Sequence, residues 1–180
     1  MSHKRNQFTE TPKDEQRTPP SLFKKLDDRF KFDCDAAATK DNALCDHYFG
    51  EDYTGAKEDA LKFDWLKCSF QNGLSVSYPK VFYCNPPYSK GLIEKFTEKG
   101  YLESIKGATV VMLLPVDFSA ARWDYCMEAA EWIRIKGRIH FNDMYGIPIK
   151  GSPLFDSCVV VFDTKLRNQR GLVVSEMDWR

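Results

Sequence analysis

The stretch Asn85-Pro86-Pro87-Tyr88 carries the most chemistry in this chain. Its two prolines have no N–H, so the backbone carbonyls around them are left as unpaired acceptors. Asn85 adds an amide oxygen and Tyr88 adds a flat ring. Acceptors converging on one point suit a planar NH2 group, and the ring suits a stacked base. Accepting both amine hydrogens pushes electron density onto that nitrogen and makes it a better nucleophile. The plainer alternative is a proline-stiffened strand end with a tyrosine capping the core. The asparagine in front, the apolar run before it and the helical segment after it favour the catalytic reading.

Such a corner has to be held by the elements around it. Val81-Phe82-Tyr83-Cys84 is an unbroken apolar run, which predicts a strand buried on both faces. The prolines then stop the ladder. The corner therefore falls at the C-terminal edge of a mostly parallel sheet, where α/β proteins place ligands. Gly91 to Ser104 follows as an amphipathic helix with Leu92, Ile93, Phe96 and Leu102 inward. Ala108 to Pro115 is the clearest buried strand, again stopped by proline.

Upstream, Thr18-Pro19-Pro20-Ser21 opens a helix, with proline at an early position and Leu22, Phe23 and Leu26 at helical spacing. Phe30 to Asp35 alternates as a strand and runs into Ala36-Ala37-Ala38. Lys40 to Phe49 reads as a short helix in which His47 has no partner pattern, and Gly50 to Gly55 as an acidic turn. Residues 67–79 form a loop longer than a typical connection. Downstream, a helix is expected over 119–131. Arg122 at its start either reaches a phosphate or is an ordinary exposed arginine. Trp132 to Ile135, Arg138 to Phe141 and Cys158 to Phe162 read as short strands, the last of them closing an antiparallel hairpin at the sheet's edge.

With 180 residues, 43% of them hydrophobic and 14% aromatic, the chain has enough material for one domain with a proper core. The expected division is a mobile tail over 1–17, a single domain over 18–165 and a charged tail over 166–180. Lys plus Arg equals Asp plus Glu at 26 each, which argues against a coat protein with a broad basic surface but not against a local basic cleft. The six cysteines form neither a CxxC pair nor a Cys/His cluster at zinc spacing, so no metal site is expected and the thiols read as reduced. The polar stretch Met1 to Arg17 has no apolar core of a signal peptide, and nothing resembles a membrane span, so a cytoplasmic protein is expected.

The Asn85 corner resembles motif IV of the amino-group S-adenosylmethionine methyltransferases, and the wider pattern resembles the phage-type DNA adenine-N6 methylase (Dam) family. The matching pieces run in order: Thr18-Pro19 with Leu22-Phe23 and Leu26, then Phe32-Asp33-Cys34-Asp35-Ala36-Ala37-Ala38, Asn42-Ala43-Leu44-Cys45, Asp59-Ala60-Leu61 with Trp65, the corner itself, and Gly137-Arg138-Ile139-His140-Phe141. They span residue 18 to about residue 163. Their order is more specific than any one of them.

The resemblance implies a Rossmann-like methyltransferase fold with S-adenosylmethionine as cofactor. Asn85, Pro86, Pro87 and Tyr88 would be catalytic, with Asn85 and the Pro86 carbonyl on the amine hydrogens and Tyr88 stacked on the base. Thr18 and Pro19 would hold the methionine end. Asp35 with Ala36 would receive its ammonium and let the cofactor approach the backbone. Asp59 and Ala60 would contact the adenine, and Trp65 either walls the pocket or packs in the core. The pattern lacks a Gly-x-Gly, which the phage-type family replaces with Asp-Ala-Ala-Ala. Only 23 residues lie between Asp35 and Asp59, so a second strand with a ribose-binding acid is short or absent.

The partner implied is double-stranded DNA, met by a monomer or weak dimer, and the 142–157 loop is the candidate for touching it. The same corner also serves methyltransferases acting on RNA or on protein amides. A non-catalytic protein that binds the cofactor or a nucleotide is the alternative from another class.

Overall fold

The computed structural model describes residues 16–50, 59–72, 75–89, 91–149 and 155–180. Helix α1 (Pro20–Phe30) starts with Pro20 where its missing N–H costs nothing and ends at Lys31, in the left-handed region at φ 57°. That early stop turns the expected strand into a two-residue piece, β1 (Cys34–Asp35). Residues 40–49 form turns rather than a helix, and their last residues lie beside β1, where the Asp35 N–H donates to the His47 carbonyl at 2.9 Å and the Phe49 N–H to the Asp35 carbonyl at 2.9 Å. The loop expected over 67–79 contains a small hairpin, β2 (Phe70–Asn72) with β3 (Ser75–Ser77).

The main chain of the fold continues through β4 (Val81–Cys84), α2 (Leu92–Ile105), β5 (Thr109–Pro115) and α3 (Arg122–Cys126), then β6 (Glu131–Ile135), β7 (Ser157–Phe162), α4 (Thr164–Arg170) and β8 (Val173–Met177). Six strands form one sheet in the order β1-β4-β5-β7-β6-β8. β1, β4 and β5 pair in parallel, as do β6 and β8, and β7 alone runs against both of its neighbours. This mostly parallel sheet with helices on it is consistent with a Rossmann-like methyltransferase fold.

Period-two alternation along each strand feeds two separate cores. Phe82, Cys84, Val110, Met112, Leu114, Val160 and Phe162 point to one face, where Trp65, Ile93, Phe96 and Trp123 cover them. Tyr83, Val111, Leu113, Val159 and Val161 point to the other, beneath Leu22 and Leu26 of α1 with Ile139, Phe141 and Trp179. Both faces are buried, which explains why the sequence of these strands is apolar throughout.

Several expectations are corrected. Residues 166–180 are not a tail: they complete α4 and supply β8, which pairs with β6 over five residues, so the antiparallel β6–β7 pair is internal and β8 is the edge. α3 is one short turn of helix rather than the span 119–131. Arg138 to Phe141 is not a strand, and Leu102 is exposed. Arg122 neither reaches out nor lies exposed. It is buried, with its guanidinium nitrogens Nη2 on the Pro115 carbonyl at 3.2 Å and Nη1 on Glu94 at 3.4 Å, two acceptors that hold the cation inside the fold. Of the tail expected over 1–17, residues 1–15 lie outside the described residues, whereas Gln16 and Arg17 are built into the fold by backbone pairing of Arg17 with Asn142.

Candidate active site

A cavity of about 300 Å³ opens at the C-terminal ends of β1 and β4. Asn85, Pro86, Pro87 and Tyr88 line it together with Thr18, Asp35, Ala37 and Ala38. Residues far apart in sequence thus meet because β1 and β4 are parallel neighbours, with Asp35 opposite Tyr83. The chain leaves both strands at the same edge, so the acid that ends one and the proline corner after the other face a common space.

Asp35 is almost wholly buried. Its carboxylate accepts from the Ala37 N–H and the Leu44 N–H, each at 3.3 Å, and so folds the residues after β1 around itself. Burial pushes its pKa up to about 6, and the two backbone donors hold it from rising further. At neutral pH it is therefore a carboxylate in a poorly solvated wall, a place where an ammonium group is welcome. Ala36 is buried, donates to the Tyr83 carbonyl at 2.8 Å, and positions Ala37 on the cavity rather than lining it. Gly50 is needed for close approach here: a Cβ on it would sit 2.1 Å from the Ala38 carbonyl oxygen.

At the corner, the Asn85 Nδ2 donates to the Gln16 carbonyl at 3.1 Å. Its Oδ1 is buried and has no hydrogen-bond partner among the described residues. A buried acceptor without a donor is costly unless a ligand supplies one. Tyr88 donates its hydroxyl to the Leu113 carbonyl at 3.2 Å and meets Phe141 and Phe155 edge-on at 6.2 and 5.6 Å between ring centres. Burial raises the phenol's pKa, so the hydroxyl keeps its proton and the ring is pinned.

Thr18 precedes α1, whose N-cap is Pro19, and its hydroxyl shares a hydrogen bond with the Tyr83 hydroxyl at 2.7 Å. Pro19 sets the helix start, accepting from the Phe23 N–H at 3.1 Å, and leaves the cavity lining to Thr18. Asp59 and Ala60 open a short 3-10 turn. Ala60 is buried in the core, and its carbonyl accepts from the Trp65 indole at 2.6 Å, while the Asp59 side chain lies outside the described residues. Trp65 belongs to the core, packed on Phe82 with ring centres 5.2 Å apart.

Sequence reasoning missed several lining residues. Gln16, Arg17, Asp41, Phe49 and Met144 all reach the cavity. Arg17 and Met144 arrive through a backbone bridge between residues 17 and 142, which no local pattern announces. Tyr83 was legible only as a strand residue, although its hydroxyl is the partner of Thr18. Among the described residues no group of three or more His, Cys, Asp or Glu converges on one point, and no helix is long and apolar enough to cross a membrane.

Comparison with known proteins bears on this geometry. The DNA N-6-adenine-methyltransferase of Escherichia phage T1 is 30% identical over 125 residues, which are 67% of this chain and 45% of that protein. The chain therefore spans less than half the length of that curated relative. The family model for DNA N-6-adenine-methyltransferase (Dam) matches residues 5–178, a span that takes in the acid at the end of β1, the proline corner after β4 and the last strand. On that match, this chain belongs to the Dam family.

Proposed function

We propose that this protein methylates N6 of adenine in duplex DNA with S-adenosylmethionine as donor. The observation that carries the reading is the Asn85 Oδ1, buried without a partner among the described residues, in a residue that lines the cavity Asp35 shares. It is an acceptor waiting for an N–H, beside a carboxylate suited to an ammonium.

The residues present fit the donor. Asp35, ionised above about pH 6, would take its ammonium, and Ala37 and Ala38 leave the backbone open to close approach. Thr18 would stand at the same methionine end, and Asp59 is the candidate for the adenine end. Ala60 has its carbonyl committed to Trp65 and supports this region from within the core. When bound, S-adenosylmethionine supplies an electrophilic methyl group.

The protein's own part is to bind and orient the target. Asn85 Oδ1 and the Pro86 carbonyl would accept the two amine hydrogens, which leaves the nitrogen lone pair pointing away from them. No general base of unusual pKa is needed first, since the proton can leave after transfer. The amine is hidden within the duplex, so the base must be extruded, at a cost of about a few kcal/mol. Tyr88, fixed by Leu113, Phe141 and Phe155, would offer the ring that offsets part of this cost.

The test is transfer of labelled methyl from S-adenosylmethionine to duplex DNA, to RNA and to protein, with the product digested and identified. N6-methyladenine in the DNA is the expected result. Label in RNA or in a protein amide would replace the substrate, and failure to bind the donor would leave a non-catalytic protein.

A further inference from the structure

The Asn85 amide is oriented by a segment 69 residues away in sequence. Its Nδ2 faces the Gln16 carbonyl, and a carbonyl oxygen only accepts. The nitrogen must therefore turn to Gln16, and the oxygen is left as the free acceptor. Gln16 is itself held in place by its neighbour. The Arg17 N–H and carbonyl exchange hydrogen bonds with the Asn142 backbone at 2.9 Å each, and the Arg17 Nη1 donates to the Asp41 carbonyl at 2.7 Å. Gln16, Arg17 and Asp41 all line the cavity, so the segment forms part of its wall as a strap pinned on two sides, at Asn142 and at Asp41.

We propose, resting on the amine-methylating reading above, that the Gln16–Arg17 strap is a positioning device: it presents the Asn85 oxygen to the target amine and makes this position selective for an amide over a carboxylate. Without the strap the amide is free to turn, and its NH2 would then meet the NH2 of the substrate, donor against donor. A carboxylate here would point one anionic oxygen at the Gln16 carbonyl. Only its protonated form donates to Gln16 while its other oxygen still accepts from the amine.

The consequence is a pH dependence that wild type lacks. In Asn85→Asp the neutral acid is the competent form, so its activity is present at low pH and falls as pH rises through its raised pKa. Other titratable groups share the cavity. Arg17 favours the charged form, Asp35 and Asp41 disfavour it, and burial keeps Tyr83, Tyr88 and the neighbouring Cys84 neutral. Asp35 titrates in both proteins, so the ratio of variant to wild-type rate at each pH removes its contribution.

The experiment measures single-turnover methyl transfer to duplex DNA from about pH 5.5 to 8.5 at saturating donor, using full-length wild type, Asn85→Asp, Arg17→Ala and Arg17→Lys. The Asn85→Asp ratio is expected to fall about tenfold per pH unit above the new pKa. Arg17→Ala should lower the single-turnover rate about tenfold with donor affinity retained, and Arg17→Lys should restore most of it. A ratio flat in pH, or a wild-type single-turnover rate in Arg17→Ala, overturns the proposal. Should wild type itself leave DNA unlabelled, the substrate reading fails separately. A carbon-13 titration of the carboxyl introduced by Asn85→Asp then decides for the strap: its pKa must lie above the ordinary carboxylate range, and a value within that range refutes it.

Discussion

Between β5 and β7 six residue pairs run in register, from Val110 opposite Phe162 to Pro115 opposite Ser157, whereas β1 offers only Cys34 and Asp35 to β4. The β5–β7 side is held by a ladder of backbone bonds and by apolar side chains buried on both faces. The cavity side has only a few backbone bonds and relies on single side-chain contacts: Asp35 folding Ala37 and Leu44 onto itself, Thr18 on Tyr83, Asn85 on Gln16, Arg17 on Asp41. The apolar half carries stability, and the half that faces ligand spends its polar groups on shape. The two therefore should fail differently when perturbed.

The largest effect is expected in the ladder. Leu113 is fully buried in β5, and Leu113→Ala should cost about 2–5 kcal/mol. Chemical denaturation should show this loss, while the protein that stays folded binds donor with near wild-type affinity, because the contact to Tyr88 uses the Leu113 backbone. A comparable loss of affinity would blur the division between the two halves.

Gly50→Ala sharpens the contrast from the other side. The new Cβ meets backbone, the Ala38 carbonyl and Thr39 Cα, rather than a flexible side-chain end, so the backbone of these two cavity-lining residues must shift. Donor affinity should fall about ten- to a hundredfold, equivalent to about 1.4–2.8 kcal/mol. Calorimetric titration measures it, with the denaturation midpoint moving less than for Leu113→Ala.

The smallest effect follows pH. Asp35 has its pKa raised from 3.8 to about 6, so the folded protein prefers it protonated. This contribution to stability is fully present below the unfolded value and is lost as pH rises through about 6, where ionising the buried group opposes folding. Affinity for an ammonium-bearing ligand runs the opposite way: it is full above about pH 6 and weakens by up to tenfold per unit below it. Titrating donor binding against pH in parallel with thermal melts separates the two trends.

How much was legible in the sequence follows the same division. β4, β5 and β7 were readable because strands buried on both faces must be continuously apolar, and α1 because its prolines and leucines mark a start and a face. β8 escaped because Val173 to Met177 alternates at an exposed edge, with Glu176 outward beside Arg134. Arg122 escaped because its burial depends on Glu94 and a carbonyl that only the fold brings together. At the cavity, the residues with marked chemistry, Asn85, Tyr88, Asp35 and Thr18, stood out from their types and neighbours. Gln16 and Arg17 did not, since a backbone carbonyl and a long-range bridge leave no trace in residue type.

If the oxygen of Asn85 acts on the target amine and not on the donor, its removal must separate transfer from donor binding. Methyl transfer to duplex DNA and donor affinity, measured on the same preparations of wild type and Asn85→Ala, decide this. The expected result is a loss of transfer of about a thousandfold, or about 4 kcal/mol of transition-state stabilisation, with donor affinity unchanged. Transfer that survives the substitution, or a loss matched by an equal loss of donor binding, would contradict it.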